Sequence, residues 1–305
     1  MNRISPRSSH SHPIQRWLYA FWKFSRPHTV IGTSLSVLGL YLIVLGSDRP
    51  LLPTAWIAPL IACLCGNIYI VGLNQLEDIA IDKINKPHLP LASGEFSIRQ
   101  GRTIVFLMGM LAVAVAATQS PYLLGMVGLS LAIGTLYSLP PVRLKRFPFW
   151  ASLCIFTVRG AIVNLGLFLH FNQGFPIPAR VWALTAFILV FTFAIAIFKD
   201  MPDTEGDRRY NIRTLTLKLG QRPVFNLARA VLTGCYLSIV AIAFFLPGVN
   251  APFLIISHLL ALCLMWFWSY RIDLQDKTEV TRFYQFIWKL FFLEYLLFPA
   301  ACLLS

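Results

Sequence analysis

Apolar runs long enough to cross a lipid bilayer recur along this chain of 305 residues. A transmembrane helix needs about 20 predominantly apolar residues, and nine runs approach that length. They cover residues 29–47, 54–76, 101–118, 121–139, 150–171, 181–199, 223–246, 252–270 and 283–303. With 57% hydrophobic and 13% charged residues, the composition excludes a disordered or nucleic-acid-binding tail and argues against a soluble globular enzyme. The sequence therefore predicts an all-α membrane protein with nine spans.

Positive charge along the chain predicts the orientation of these spans. If the N-terminus is cytoplasmic, 21 of the 26 Lys and Arg residues fall in inner segments or at the span ends beside them, and the outer loops hold only Arg49 and Arg180. Cytoplasmic loops of membrane proteins carry such an excess. We therefore expect a C-terminus on the opposite side, and a net charge of +13 that sets orientation instead of binding nucleic acid. The chain divides into a basic cytoplasmic N-terminal segment, residues 1–28, and a membrane domain, residues 29–305.

Acidic residues concentrate in two inner loops that each follow a span, and eight of the thirteen lie there. The first loop begins with Asn74, Asp78 and Asp82, spaced by four residues. On a helix, steps of four drift by about 40°, so these three side chains share one face. One amide and two carboxylates are hard oxygen ligands of the kind that Mg²⁺ prefers. A solvated helix end is the alternative, but it does not explain polar residues repeated on one side of a helix that leaves lipid.

The second loop contains Asp200, Asp203 and Asp207, again at spacings of three and four. Pro202 disturbs a continuous helix because it pushes Met201 away from helical angles, and it could instead open a short second helix. The spacing of Asp203 and Asp207 is unaffected, since both residues follow the proline. Taken by itself, this segment fits an ordinary charged loop as well as a ligand site.

Two acid clusters on one membrane face can hold two magnesium ions that clamp a diphosphate between them. Basic side chains on the same face would bind the remaining phosphate oxygens. We identify Arg143 and Lys145 after the fourth span, and Arg208 beside the second cluster, as substrate-binding candidates. Further basic residues on the same face are Arg146, Lys86 and Arg209, the last as an alternative to Arg208. Charge that only sets orientation is the alternative explanation for each of them.

These residues resemble the paired motifs of the UbiA family of intramembrane aromatic prenyltransferases. The NxxxDxxxD of Asn74–Asp82 and the DxxxD of Asp203–Asp207 carry the resemblance. The stretches FWKFSRPHTVIGT, NKPHLPLASGEFS, YSLPPVRLKRFP and FKDMPDTEGDRRYNIRTLT are similar to the branch of the family that uses homogentisate. The resemblance implies nine helices around a central cavity and Mg²⁺ as cofactor. It also implies metal ligands at Asn74, Asp78, Asp82, Asp200, Asp203 and Asp207, with Asp78, Asp82, Asp203 and Asp207 as the catalytic residues.

The reaction implied by this resemblance joins a prenyl diphosphate donor to an aromatic acceptor. Phytyl diphosphate and homogentisate would give 2-methyl-6-phytylbenzoquinol, diphosphate and carbon dioxide, a step of tocopherol (vitamin E) biosynthesis in a cyanobacterial plasma or thylakoid membrane. An apolar, aromatic cavity would shelter the allylic cation and exclude water, with Tyr137 as a candidate ring. For the acceptor carboxylate we identify Arg159, inside span five, and Asn164 beside it. The alternative for Arg159 is a structural pairing with Glu294 in span nine.

Other functions stay open at this stage. Within the family, the alternatives are geranylgeranyl or solanesyl transfer to homogentisate, 4-hydroxybenzoate polyprenyl transfer and chlorophyll synthesis. Outside it, Arg159 and Glu294 would suit a transporter of an anionic solute, although an odd span count and the lack of a visible repeat argue against one. A non-catalytic scaffold would leave the paired acid clusters without a role. The oligomeric state is not predicted.

Overall fold

The computed structural model describes residues 13–47, 50–210, 212 and 214–305, and these are helical without strands. Residues 1–12 of the basic N-terminal segment, and Arg49, which was predicted to lie in the first outer loop, are outside the described residues. The helices are α1 Pro13–Phe24, α2 Pro27–Leu45, α3 Ile57–Glu77, α4 Ile79–Asn85, α5 Pro90–Ser93, α6 Ile98–Ala117, α7 Pro121–Ser138, α8 Pro148–Phe156, α9 Val163–Asn172, α10 Ala179–Lys199, α11 Thr204–Arg209, α12 Leu215–Leu219, α13 Gln221–Ile242, α14 Ala251–Ser269 and α15 Lys277–Leu303. A π-helical turn, Thr157–Ile162, joins α8 to α9.

Nine helical segments in the described part of the chain are long and apolar enough to cross a membrane, which confirms the predicted span count. They are α2, α3, α6, α7, the continuous stretch Pro148–Asn172, α10, Gln221–Phe245, α14 and α15. The protein is therefore a multi-pass integral membrane protein. The largest boundary error is in the ninth span, which begins at Lys277 instead of residue 283. An apolar run does not reveal its charged first turn, which Asp276 caps by accepting from the backbone N–H of Thr278 at 2.7 Å.

Local sequence explains where several spans begin. Ser97 and Gln100 form a complete capping box at the start of α6, each side chain accepting a backbone N–H of the other residue. Ser120 caps α7 through the backbone N–H of Leu123, and Pro121 occupies the first helical position, where its missing N–H costs nothing. Caps of this kind stabilise a helix by about 1 kcal/mol each.

The first described helix, α1, was not among the predicted spans and belongs to the segment expected only to be basic. It is amphipathic: Arg16 and Lys23 are polar, while Ile14, Leu18 and Trp22, at steps of four, expose apolar surface. Its other side packs on α3 and α5. A helix with one apolar exposed stripe beside a bundle of spans is typical of an element that lies in the membrane interface.

The spans surround a central space that opens near the ends of α3 and α10. Helix α10 is the most deeply buried span and contacts α13, α15 and the π-helical turn. Close approach depends on glycine at one point in particular. A Cβ at Gly160 would lie 2.4 Å from the Cα of Leu189, so only glycine allows the π-helical turn to touch α10. Helices α2, α3, α7 and α15 complete the wall of the central space.

Candidate active site

The described residues enclose two neighbouring cavities, and the larger has a volume of about 840 Å³. Its wall includes all six oxygen-bearing side chains that the sequence marked as metal ligands: Asn74, Asp78, Asp82, Asp200, Asp203 and Asp207. These residues come from two segments more than one hundred positions apart in the chain. We name this space the acidic cavity.

The first acidic segment is not the single helix that the spacing predicted. Helix α3 ends at Glu77, Asp78 has the non-helical angles φ −114° and ψ 16°, and α4 starts at Ile79. The break keeps the predicted neighbours together, because the amide of Asn74 donates to Asp78 Oδ2 at 3.1 Å. Asp82 lies in α4, is buried, and leaves Oδ2 without a hydrogen-bond partner among the described residues. The prediction of one shared helical face is therefore wrong, while the prediction of a shared site is supported.

The second acidic segment contains the short helix that was one of the two alternatives at Pro202. Helix α10 ends at Lys199, and α11 begins at Thr204 after Asp203. Asp207 lies one turn into α11 and is buried. A continuous helix from Asp200 to Asp207 does not form, because Pro202 lacks an N–H and restricts the residue before it.

One contact fixes the two acidic segments against each other. The backbone N–H of Gly206 in α11 donates to Oδ1 of Asn85 in α4 at 3.0 Å. A Cβ at Gly206 would lie 2.4 Å from that oxygen, so the contact requires glycine. Tyr210 adds a weaker link, since its hydroxyl donates to the carbonyl of Ala80 at 3.3 Å.

Basic side chains bind the carboxylates of the acidic cavity. Lys145 Nζ lies 2.6 Å from Asp78 Oδ2, and Arg143 Nη2 lies 3.0 Å from Asp78 Oδ1. Lys86 forms an ion pair with Asp203. Arg143 and Lys145 were expected at the site, and both reach it by way of Asp78. Arg208 does not, because it is exposed on α11 and lines neither cavity.

Burial makes several of these carboxyl groups weak acids. It raises the pKa of Asp82 and of Asp200 from 3.8 to about 6. The pKa of Asp207 rises to about 7, because burial is reinforced by the negative charges of Asp200 and Asp203. Burial also lowers the pKa of Lys145, although Asp78 opposes that change. The ionised carboxylates are therefore costly until a cation joins them.

The donor set fits a hard divalent cation, although its present spacing does not enclose one. In the described part of the chain, no three His, Cys, Asp or Glu side chains converge closely enough to hold a metal ion. Instead, lysine and arginine side chains form ion pairs with the carboxylates of Asp78 and Asp203. The unpartnered Oδ2 of Asp82 and the surrounding carboxylate and amide oxygens are the ligand types of Mg²⁺.

The second cavity has a volume of about 280 Å³ and a mostly apolar wall, and we name it the inner cavity. Asn74, Tyr137 and Lys199 line both cavities, so the two spaces meet at these side chains. The ammonium group of Lys199 donates to the Tyr137 hydroxyl at 3.0 Å and lies 5.7 Å from the centre of its ring. Tyr137 therefore stands at the junction, where the sequence placed a candidate aromatic face.

Arg159 lines the inner cavity and does not pair with Glu294. Its guanidinium carbon lies 5.2 Å from the ring centre of Trp288 and 5.6 Å from that of Phe291. Glu294 pairs with His258 instead, at 3.2 Å, between α14 and α15. The structural alternative for Arg159 is therefore wrong.

Asn164 does not reach either cavity, in contrast to its predicted role as a substrate ligand. Its Nδ2 donates to the carbonyl of Gly160 at 2.7 Å, and its Oδ1 accepts from the hydroxyl of Tyr295 at 2.7 Å. Both ends of the amide are therefore satisfied within the protein, and the side chain is fully buried.

Several lining residues were missed by the sequence reasoning. Arg26 and His28, at the mouth of the first span, line both cavities. Trp288 and Tyr284 also line both, but aromatic residues within an apolar run carry no signal that separates a cavity wall from packing. Lys86, in contrast, was among the basic residues expected on this face, and it lines the acidic cavity beside Asp203.

Comparison with known proteins agrees with this geometry. The UbiA prenyltransferase family matches residues 34–290. The chain is 54% identical to homogentisate phytyltransferase of Synechocystis sp. over 93% of this chain and 96% of that protein. It is 38% identical to the chloroplastic homogentisate solanesyltransferase of Arabidopsis thaliana, over 94% of this chain and 77% of that protein. A solved structure of a UbiA homolog from Archaeoglobus fulgidus bound to GPP and Mg²⁺ shares the fold, with a TM-score of 0.65, 16% identity, and coverage of 92% and 99% of the two chains.

Proposed function

The chain belongs to the UbiA prenyltransferase family and is a prenyltransferase, and on that premise we propose that it transfers a phytyl group from phytyl diphosphate to homogentisate. The products are 2-methyl-6-phytylbenzoquinol, diphosphate and carbon dioxide. A single observation supports this site best: six oxygen-bearing side chains from two distant helix ends line one cavity beside an apolar one. The identity of 54% to a homogentisate phytyltransferase supports the choice of donor and acceptor.

Mg²⁺ is the cofactor we propose for the acidic cavity. Asn74, Asp78, Asp82, Asp200, Asp203 and Asp207 would hold it. When bound, it would neutralise the negative charge that develops on the departing diphosphate. The Archaeoglobus relative, which was solved with GPP and Mg²⁺, supports the assignment.

The basic side chains of the acidic cavity can change partners when the donor binds. Lys145, Arg143 and Lys86 bind carboxylates that we assign to the metal. Once a divalent cation takes those carboxylates, the same ammonium and guanidinium groups are free to bind phosphate oxygens. Arg143 can do so in a forked geometry, and Lys145 as a point charge.

Transfer requires that the allylic cation meets the acceptor ring before it meets water. The junction between the cavities offers the ring faces of Tyr137, Tyr284 and Trp288, which can stabilise a cation. The apolar wall of the inner cavity keeps bulk water away from the reacting carbon. The ring carbon forms the new bond and loses its proton. The side chain loses carbon dioxide, and its carbon takes up one proton, so the proton count balances.

The membrane setting follows the same proposal. We assign the acidic cavity to the cytoplasmic face, on the charge distribution of the loops. A cyanobacterial plasma or thylakoid membrane is the proposed location, and the relative from Synechocystis supports it. A phytyl chain is apolar, so a donor supplied from the bilayer reaches the cavity without crossing water.

The full chain in lipid nanodiscs tests this proposal. With Mg²⁺, phytyl diphosphate and homogentisate, we expect diphosphate release and a product with the mass of 2-methyl-6-phytylbenzoquinol, and chelation by EDTA should stop both. Asp78→Asn should lower kcat by about 100-fold or more, as removal of one group that stabilises transition-state charge does. Glu205→Gln is the matched control, because Glu205 is exposed and lines neither cavity.

Two results would contradict the proposal. Transfer that continues at the wild-type rate in Asp78→Asn, or in excess EDTA, would remove the metal role. A clear preference for geranylgeranyl or solanesyl diphosphate over phytyl diphosphate, measured as kcat/KM in the same nanodiscs, would overturn the donor assignment and leave the enzyme class unchanged.

A further inference from the structure

Two hydroxyl groups on the wall of the inner cavity have no hydrogen-bond partner among the described residues. They belong to Ser130 on α7 and Thr192 on α10, which are 8% and 0% exposed. A serine or threonine in a helix commonly donates to the carbonyl one turn earlier, as Thr135 does to Leu131 at 2.7 Å. Buried hydroxyls without partners are costly. Two of them on one cavity wall indicate a polar ligand.

A positive charge lies on the same wall. Arg159 is near the middle of the span Pro148–Asn172, about 16 Å of helix from its first residue. Its guanidinium lies near the rings of Trp288 and Phe291 and close to Gly32 of α2, and no ion pair joins it to a carboxylate of the described residues. A guanidinium without an anion at this depth is costly. A carboxylate that entered the inner cavity would compensate it with two parallel hydrogen bonds.

The π-helical turn Thr157–Ile162 determines where this guanidinium points. Such a turn inserts one residue into a helix and frees a backbone carbonyl. Asn164 binds the carbonyl of Gly160 at 2.7 Å, and the hydroxyl of Tyr295 holds Asn164 at 2.7 Å. Gly160 also touches α10, as the contact with Leu189 shows. The turn is therefore fixed from α9, α10 and α15 at the residue next to Arg159.

We propose that the inner cavity is the acceptor site and that it recognises a dihydroxyphenyl acid. The acceptor carboxylate binds Arg159, and its two ring hydroxyls bind Ser130 and Thr192. Asn164 and Tyr295 are positioning residues that act through the π-helical turn and touch no substrate. This inference rests on the proposed function, because it takes a carboxylated aromatic ring as the acceptor.

On this proposal the acidic cavity binds the donor diphosphate and the inner cavity binds the acceptor. With its carboxylate at Arg159, the acceptor directs its ring toward the junction at Asn74, Tyr137 and Lys199, where the donor's allylic carbon leaves the acidic cavity. The product lacks the carboxylate, since that group departs as carbon dioxide. Product release therefore breaks no ion pair with Arg159, and binding favours the substrate over the product.

Acceptor kinetics with and without the carboxylate test this assignment. The full chain in nanodiscs receives either homogentisate or methylhydroquinone, which keeps both hydroxyls but has no carboxylate. Arg159→Met should raise the KM for homogentisate by about tenfold or more, the effect of losing a charge-assisted hydrogen bond. The KM for methylhydroquinone and for phytyl diphosphate should stay within about twofold of wild type. Arg159→Lys should recover part of the loss.

The positioning residues and the hydroxyls have their own variants and matched controls. Asn164→Asp and Tyr295→Phe should reproduce the selective rise in homogentisate KM. Asn172→Asp is the control. Asn172 also lies in α9 and donates to a backbone carbonyl, that of Gly174, but it lines neither cavity.

Thr192→Val should raise the KM for both acceptors alike, since both keep the ring hydroxyls. Thr185→Val is its control, because Thr185 is buried and unpartnered in the same helix but lines neither cavity. Titration of radiolabelled homogentisate into the Mg²⁺-free protein gives a second readout, and Arg159→Met should weaken that binding too.

Failure of this inference can be told apart from failure of the proposed function. If wild type transfers no phytyl group to homogentisate, the function itself is wrong. If wild type is active but Arg159→Met changes the KM of both acceptors equally, or changes the KM of phytyl diphosphate instead, the acceptor site lies elsewhere. If Asn164→Asp fails to fold, Tyr295→Phe and Arg159→Met still decide the outcome.

Discussion

At the scale of single residues, the acidic cavity brings together carboxyl and ammonium groups whose burial as isolated charges would cost free energy. Asp82, Asp200 and Asp207 are carboxyl groups that burial makes weak acids. Lys145 and Lys86 offset part of this cost by pairing with neighbouring carboxylates. Ion pairs of this kind add little net stability by themselves, so they do not oppose strongly the binding of a cation and a diphosphate.

This balance predicts a pH-dependent effect of Mg²⁺ on stability. The three carboxyls have folded pKa values of about 6, 6 and 7 against 3.8 in the unfolded chain. The metal-free fold takes up these protons as pH falls through 7 to 6, whereas the unfolded chain does not, so acidification in this range stabilises it. Mg²⁺ binds the ionised form. Its stabilisation should therefore be large at pH 8 and small at pH 5.5.

Thermal unfolding in detergent checks this expectation at both pH values, with and without Mg²⁺. Asp207→Asn is the informative variant, because it removes the highest of the three pKa values, and it should reduce the pH dependence. A shift of the midpoint by Mg²⁺ at pH 5.5 as large as that at pH 8 would mean that these carboxyls do not bind the ion.

At the scale of secondary-structure elements, interruptions of helices build the site. Helix α3 stops at Glu77 and restarts as α4, α10 stops at Lys199 before α11, and a π-helical turn interrupts the fifth span. Each interruption lies at a cavity wall. A regular helix satisfies its own backbone groups along its whole length, whereas these interruptions place Asp78, Asp203 and Arg159 at the cavity walls.

The contact between α4 and α11 predicts that replacing Gly206 lowers the rate of transfer. Gly206→Ala would place a methyl group 2.4 Å from Oδ1 of Asn85, so the Asn85 side chain must move and the hydrogen bond that joins the two acidic segments is weakened. Overpacking of this kind costs about 1–3 kcal/mol. We expect kcat to fall by about tenfold or more, because the carboxylates no longer share one site.

Gly125→Ala is the matched control for this substitution. Gly125 lies within the spanning helix α7 and has open space around its position, so a methyl group there meets no atom within 4 Å. Its kcat and its thermal midpoint should stay at wild-type values. Equal activity of Gly206→Ala and Gly125→Ala in Mg²⁺ would show that the α4–α11 contact does not set the site.

Helix α1 is an element whose environment can be tested directly. Its exposed stripe of Ile14, Leu18 and Trp22 should lie in lipid, while Tyr19 and Lys23 line the acidic cavity. Leu18→Asp would lift this stripe from the membrane. We expect a several-fold lower rate in liposomes and a smaller effect in detergent micelles, measured with phytyl diphosphate. Gln15→Asp adds the same charge at a position that is already polar and should have little effect.

If Leu18→Asp and Gln15→Asp behave alike in liposomes, α1 does not rest on the bilayer. The same conclusion would follow if the Leu18→Asp defect were equally large in micelles, because the loss would then reflect folding and not the membrane. Both comparisons use the full chain and the same acceptor concentration.

At the scale of the whole molecule, charged side chains pair at the acidic cavity and also in a separate region between two spans. Around the acidic cavity, charged side chains form ion pairs, and Oδ2 of Asp82 has no hydrogen-bond partner among the described residues. Away from both cavities, between α14 and α15, the pair of His258 and Glu294 is fully buried and lines neither cavity. Phe187 and Tyr236 surround His258 with aromatic edges. We therefore expect this pair to stabilise the bundle without contacting the substrates.

Breaking this pair should change stability and spare the chemistry. His258→Ala leaves Glu294 buried without its partner, which costs about 3–5 kcal/mol. We expect a lower thermal midpoint and an unchanged KM for both substrates at temperatures where the protein stays folded. The double variant His258→Leu with Glu294→Leu, which removes both polar groups, should recover most of the stability. A selective change in acceptor KM would instead connect the pair to the site.

The sequence determined the class of the fold and the residue types of the site. Nine apolar runs require nine crossings, because a backbone in lipid must satisfy its own hydrogen bonds. Carboxylates grouped at two helix ends, together with the family motifs, led to the proposal of Mg²⁺ as cofactor. The N-terminal helix α1 was not predicted, since its apolar stripe is shorter than a span. The fold class needed only periodicity, length and charge, which are local properties of a chain, whereas the cofactor also needed the resemblance to a family.

Only the tertiary structure decided which polar groups meet. The sequence paired Arg159 with Glu294 as an alternative and gave Asn164 a substrate contact, but Glu294 binds His258 and Asn164 binds Gly160 and Tyr295. Each partner lies on another helix or across a turn that departs from regular spacing. A pairing between spans depends on how helices rotate and cross, and that is set by the packing of many side chains at once.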